Sequence, residues 1–274
     1  MPKKIIISKE KIDSFILELK NNGSISNIAK RENISEITLR SRIEEYYPNL
    51  NFKNNRVDHT FFDTIGPIQA YIIGFIYTDG CIKSNYKQEK RQDQWVIEIQ
   101  ERDIHILELM KKALNKVGPI NTRKKLGGKS KQLTSALRVC STQQINKLKE
   151  IGIYPKKSFT SEIPKIFLEN KDLFRHFLRG VFDGNGCVYF NNCRKNLVFE
   201  ICGNKQTCQT LATILKNEYD LGSGNIYKTS SIFKLVISGK KRIKKIFDLL
   251  YQDTDIFLLR KYNKFILHEP DLIK

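Results

Sequence analysis

The stretch Ala70-Tyr71-Ile72-Ile73-Gly74-Phe75-Ile76-Tyr77-Thr78-Asp79-Gly80-Cys81-Ile82 returns as His176-Phe177-Leu178-Arg179-Gly180-Val181-Phe182-Asp183-Gly184-Asn185-Gly186-Cys187-Val188, with Asp79 and Asn185 106 residues apart (185 − 79 = 106). The segments downstream of the two copies also match. A strand-like alternation, Trp95 to Ile99 in one copy and Asn196 to Ile201 in the other, leads into a helical segment, Asp103 to Val117 or Lys205 to Tyr219. Two more strands and a helix close each unit: Ile120 to Leu126, Ala136 to Cys140 and Thr142 to Ile151, then Asn225 to Lys228, Phe233 to Ser238 and Lys241 to Leu250. Both units therefore read helix-strand-strand-helix-strand-strand-helix. A repeat of about 100 residues is too long for a solenoid, whose units run roughly 20 to 50 residues. It predicts two like domains about a pseudo-twofold axis.

The segments Ile72 to Gly80 and Leu178 to Gly186 resemble the two signatures of the single-chain LAGLIDADG homing endonucleases, and the repeated context runs from about Phe61 to the C-terminus. The resemblance implies an α+β fold of two tandem αββαββα domains whose antiparallel sheets form a DNA-binding saddle. Gly74 and Gly180 remove side chains midway along the two helices, so the helices can cross at close backbone contact. Each helix ends one residue before a glycine. The resemblance places the catalytic, metal-holding acids at those ends, at Asp79 and position 185, beside Gly80 and Gly186, with Gln100 near the metals at the end of the second strand and Cys202 as its partner in the second half. Magnesium or manganese is the implied cofactor, and calcium could bind without supporting cleavage. A metal-held water would attack a scissile phosphate while the cation offsets the developing charge. Lys83 and Lys234 are candidates for a lysine that orients this water.

Position 185 is asparagine. Its amide oxygen can still ligate a cation but brings no negative charge, so metal affinity and phosphate activation should both fall. Asp183 does not substitute for it, because residues two apart on a helix point about 200° from one another. Three accounts of Asn185 stay open on the sequence: a substitution that traps uncut DNA, an asymmetric site that nicks or cuts slowly, and a protein kept for binding after loss of catalysis.

The 274 residues carry 48 Lys plus Arg against 29 Asp plus Glu, a net charge of +19 spread along the chain. That excess calls for a polyanion. No apolar stretch is long enough to span a membrane, and the N-terminus lacks the pattern of a secretory signal, so an intracellular protein in the cytoplasm or nucleoid is expected. The six cysteines form no CxxC pair and the four histidines lie far apart, which argues against a zinc site and for reduced, mostly buried thiols.

Residues 8 to 48 predict three short helices. Ile12, Phe15, Ile16 and Leu19 mark the first, which Gly23 closes; Ser24 can cap a second carrying Ile25, Ile28 and Ala29; and Ser35 can cap a third, to Tyr46. The short turn at Glu32-Asn33-Ile34 resembles that of a helix-turn-helix. The third helix would then offer Ser35, Glu36, Thr38, Arg40, Ser41 and Arg42 to a major groove. The expected domains are 1–48 (helix-turn-helix), 49–60 (linker), 61–160 and 161–274 (the two LAGLIDADG domains).

Basic residues crowd the linker, the predicted strands and their hairpin tips: Lys53, Arg56, Lys83, Lys87, Arg91, Arg123, Lys125, Arg138, Arg194, Lys195, Lys228 and Lys234. They would contact a long, asymmetric double-stranded site bound by a monomer, some at phosphates and fewer at base edges. Lys240 to Lys245 put cations at the start of the last predicted helix, where a phosphate would offset the unfavourable dipole. The alternative is a non-cleaving, sequence-specific DNA-binding protein or transcription regulator on the same scaffold, and a third use of the scaffold is RNA splicing. A helix-turn-helix favours DNA, because an A-form major groove does not admit such a helix.

Overall fold

The structure, a computed structural model, describes residues 7–20, 25–48, 57–83, 93–124, 133–154, 162–230 and 232–273. It divides into two compact units, Met1–Asp58 with Asn115–Pro119, and His59–Leu114 with Ile120–Lys274.

The first unit contains α1 (Lys9–Lys20), α2 (Ile25–Arg31) and α3 (Glu36–Tyr46). Ile12, Phe15, Ile25, Ile28, Ala29, Leu39 and Ile43 form one core. Asn33 adopts a left-handed φ of 52° and the Ile34 N–H bonds the Ala29 carbonyl at 3.0 Å, which ends α2 and turns the chain. Ser35 then caps α3, its Oγ accepting from the Thr38 N–H at 3.0 Å. Gly23 and Ser24 lie outside the described residues, as does most of the expected linker.

In the second unit the two repeats are laid out in the same order. The first runs α4 (Pro67–Asp79), β1 (Gly80–Lys83), β2 (Gln94–Gln100), α5 (Ile104–Ala113), β3 (Asn121–Lys124), β4 (Leu133–Cys140) and α6 (Thr142–Ile151). After a short α7 (Lys165–Leu168) the second runs α8 (Lys171–Asn185), β5 (Gly186–Asn191), β6 (Asn196–Gly203), α9 (Lys205–Asn217), β7 (Asn225–Thr229), β8 (Ile232–Ser238) and α10 (Lys240–Tyr251). The sheets have matching antiparallel orders, β1-β2-β4-β3 and β5-β6-β8-β7. The helix expected from Asp103 to Val117 is shorter, because Glu101–Asp103 form a 3-10 turn before α5 and Asn115, at φ 46°, breaks the helix after it. A further helix, α11 (Leu259–His268), lies outside the repeat.

Residues 70–77 of α4 are all buried, and so are residues 176–183 of α8. A helix buried all round must be covered on every side, and these two cover one another. A Cβ at Gly74 would lie 2.1 Å from the Phe177 carbonyl oxygen, and one at Gly180 2.1 Å from that of Tyr71. The sheets bury one face each against the outer helices, as where the Trp95 Nε1–H donates to Gln144 of α6 at 2.8 Å.

Arg179, fully buried, donates from Nε to the Ile256 carbonyl (2.9 Å) and from Nη1 to that of Leu250 (3.0 Å), while Nη2 lies 3.0 Å from His176 Nδ1. Burial and this guanidinium push the His176 pKa down to about 4, so the imidazole stays neutral and accepts from Arg179. Because the folded value lies below the unfolded one, the contribution of His176 is complete above about pH 6.5 and is lost as pH falls from there toward 4. The urea midpoint should drop over that window, and His176→Gln should flatten the profile; an identical slope in the variant would remove His176 as its source.

Candidate catalytic centre and nucleic-acid interface

Asp79 is the last residue of α4 and Asn185 the last of α8. Each helix is closed by the following glycine in extended backbone, Gly80 donating to Ile76 and Gly186 to Phe182. A Cβ on Gly80 would meet the Ile76 Cα at 2.6 Å, and one on Gly186 the Phe182 carbonyl oxygen at 2.5 Å. Glycine is thus required for each chain to leave its helix sharply. A third glycine brings the two ends together: a Cβ at Gly184 would lie 1.9 Å from Thr78 Oγ1 and 3.5 Å from the Asp79 Cβ. The Asp79 Cβ therefore lies on the side of α8 where a side chain at Gly184, the residue just before Asn185, would stand.

Asp183 turns the other way and is buried. Its Oδ2 accepts from the Tyr71 hydroxyl and the Leu258 N–H, both at 2.8 Å, and burial raises its pKa against the pull of Lys261 and those bonds. Lys261 of α11 is 4% exposed, and its Nζ donates to the carbonyls of Phe182 (2.5 Å) and Asp183 (2.8 Å). Burial lowers the Lys261 pKa to about 8, opposed by Asp183 and, more weakly, by Asp79.

Among the described residues no group of three or more His, Cys, Asp or Glu side chains could hold a metal ion. The oxygen donors at the helix ends are one carboxylate (Asp79), one amide (Asn185) and the carbonyls of Gly80 and Gly186. Such a set suits magnesium, which binds through one or two carboxylates with substrate phosphates and retained waters rather than in an all-protein cage.

Strand register refines the neighbourhood. Gly80 pairs with Ile97 and Gly186 with Ile201, so Glu98 and Cys202 are the equivalent positions, each one step past the pair. Gln100, expected to match Cys202, lies two residues further along β2, opposite Thr134. Glu98 receives Arg123 at 2.9 Å and Thr134 at 3.1 Å; burial pushes its pKa up, and these bonds more than reverse that. Lys234 donates to Glu200 at 2.7 Å, which ties one of the two candidate water-orienting lysines to a carboxylate.

Strand alternation assigns the sheet faces away from the helices. One carries Cys81, Lys83, Gln94, Glu98, Arg123, Arg138 and Cys140, the other Cys187, Tyr189, Glu200, Cys202, Tyr227 and Lys234. Lys228 pairs with Phe233, on the helix-covered side of an edge strand, so it does not share the open face of Lys234. Arg194 and Lys195 are exposed in the β5–β6 turn. Lys53, Arg56, Lys87, Arg91 and Lys125 lie outside the described residues.

Several expectations need correction. Arg42, expected to face a groove, has a side chain only 13% exposed and paired with Glu45. Arg40 and Thr38 are half-buried, whereas Ser35 is exposed and bonds Thr38 at the cap. The exposed residues of α3 are Glu36 and Ser41, both among those expected to face a groove, with Ile37, Glu44, Glu45 and Tyr46. Lys244 bonds Asp248 and the Leu272 carbonyl, and Lys245 bonds Asp220, so these cations are already offset within the chain. Only Cys208 is a buried thiol; Cys81 and Cys193 are exposed and the rest intermediate. Their strands place Cys81, Cys140, Cys187 and Cys202 on the open faces, which a count of cysteines does not reveal.

No protein-family model matches the sequence, and no curated protein matches it. Solved structures do. The homing endonuclease I-WcaI bound to its DNA recognition sequence superposes with a TM-score of 0.56 at 15% identity, over 81% of this chain and 92% of that one. The I-LtrWI LAGLIDADG homing endonuclease bound to target DNA gives a TM-score of 0.51 at 12% identity, over 76% and 90%. At such identities the likeness speaks to architecture, and it is architecture that duplicated signatures, glycine-crossed helices and paired four-stranded sheets also define. The chain has the tandem LAGLIDADG homing-endonuclease fold.

Proposed function

We propose that this protein binds a long, asymmetric double-stranded DNA site as a monomer and is a homing endonuclease whose phosphodiester hydrolysis, dependent on a divalent cation, is weakened by Asn185. The observation that supports this is the meeting of the two helix ends, with the Asp79 Cβ 3.5 Å from where a Cβ on Gly184 would lie. Magnesium or manganese would be held by Asp79, the Asn185 amide oxygen and the Gly80 and Gly186 carbonyls, and would activate water and offset charge on the scissile phosphate. Asp79 supplies the carboxylate at the end of α4. Lys83 and Arg138 on the first open face would meet phosphates or base edges, as would Lys234 on the second if it leaves Glu200.

The charge balance supports a DNA affinity that resides chiefly in residues 59–274. Residues 1–58 hold 11 Lys plus Arg and 8 Asp plus Glu, whereas residues 59–274 hold 37 and 21. The helical module, acidic on its exposed α3 face, adds a minor share.

The test is selection of bound sites from a random duplex pool, then affinity against salt. With about six to ten phosphate contacts, affinity should fall roughly 10³- to 10⁵-fold between 50 and 200 mM salt. Selection of no duplex sequence would refute a site-specific DNA-binding function. A protein that selects a site and never cuts it is a regulator on this scaffold.

A further inference from the structure

Four consecutive residues outside the duplicated repeat join the two halves at the catalytic end of the crossed helices. α11 has no side chain of its own capping its start, and orphan N–H groups there need partners. The Leu258 N–H donates to Asp183 Oδ2 at 2.8 Å, in the second half, and the Leu259 N–H to His105 Nε2 at 3.3 Å, in the first. Arg260 grips Asp103 of the first half through Nε at 3.2 Å to both carboxylate oxygens and Nη2 at 2.9 Å to one. Lys261 turns back to the second half and donates to the Phe182 and Asp183 carbonyls. The Phe182 carbonyl also takes the Gly186 N–H that closes α8. The outer two of the four residues thus bond the second half and the inner two the first.

Neither end of this bridge is an ordinary surface ion pair. Asp103 is 4% and Lys261 4% exposed, and a buried charge is retained only where partners hold it. The ammonium sits on the last carbonyls of α8, where the helix carries its partial negative charge. Asp103 follows the β2 end that overhangs Gly80. The bridge therefore fixes the strand end beside Asp79 and the helix end that carries Asn185 in one frame.

We infer that Leu258–Lys261 is a strap that sets Asp79 and Asn185 against one another, with Lys261 and Arg260 as positioning residues for the proposed DNA cleavage, on which reading this inference rests. Neither side chain touches the scissile phosphate. Their loss would misplace the helix ends, and a shift of about 1 Å at a catalytic centre can lower a rate roughly 100-fold.

The test uses the full chain with Lys261→Met, Lys261→Arg and Arg260→Gln, followed by hydrogen exchange and by cleavage at saturating selected duplex. Lys261→Met and Arg260→Gln should lower amide protection at residues 184–187 by about tenfold, with β6 and β8 unchanged. Cleavage should fall at least about tenfold at unchanged duplex affinity, and Lys261→Arg, which keeps a cation there, should recover most of both losses. Should Lys261→Met fail to fold, Arg260→Gln decides the matter alone, because its side chain is one-third exposed at 35%. Unchanged protection at 184–187 in the folded variants overturns the strap whether or not DNA is cut. Lost protection in a protein that never cuts, even as Asn185→Asp, retains the strap as a structural device and refutes the positioning role together with the nuclease.

Discussion

Gly180→Ala should bring the second unit close to global unfolding, with a loss of about 4 kcal/mol or more in urea denaturation. Two effects oppose one another. Alanine favours a helix interior over glycine by about 1 kcal/mol. The new Cβ, however, would lie 2.1 Å from the Tyr71 carbonyl oxygen, 2.7 Å from the Phe75 nitrogen and 3.0 Å from the Gly74 carbonyl carbon. All three are backbone atoms of α4, so no rotamer change relieves the contact and the helices must separate. Separation also opens the core around Phe75, Phe177 and Val181, and core packing tolerates little displacement. Gly152→Ala is the control. Gly152 has φ 104° and nothing within 4 Å of its missing Cβ, so it should cost only about 1–2 kcal/mol of left-handed strain. Equal losses at the two positions would show that α4 and α8 do not cross as closely as described.

Asp79→Asn should lower cleavage at saturating DNA by about 100-fold or more, on the scale of losing one element of transition-state charge stabilisation. The substitution keeps the size and an oxygen donor and removes the carboxylate at the end of α4. Cation-free DNA affinity should change little, because phosphate contacts on the open faces supply it. Cleavage that is unchanged in Asp79→Asn would move the chemistry elsewhere in the molecule.

The crossed helices are legible in the sequence because the signal is redundant: the same apolar helix, glycine and terminal polar residue occur twice, and each implies the other. That the two sheets match follows from the duplicated strand pattern, while their strand order is read only from the pairing. The features that escape sequence reading do so for physical reasons. Lys261 sits on the inward face of α11 and interrupts the apolar period by which a helix and its buried side are recognised. Arg42 reads as outward-facing because an arginine normally faces water, yet its stem is covered and its charge is met by Glu45. Lys228 illustrates parity: on an edge strand without a buried row, only pairing with β8 tells one face from the other. The offset between Gln100 and Glu98 has a different origin: it keeps the same strand face and arises because the two copies are not spaced identically between the glycine and the second strand.

The most direct measurement is a matched cleavage assay in magnesium on a supercoiled plasmid carrying a selected site, comparing the native chain, Asp79→Asn and Asn185→Asp. The expected result is slow or arrested cutting by the native chain, none by Asp79→Asn, and an increase of about tenfold or more, with linear product, when Asn185→Asp restores the second charge. If all three bind the site and none cuts it, the paired helix ends are not a catalytic centre and the protein is a DNA-binding regulator on a nuclease fold.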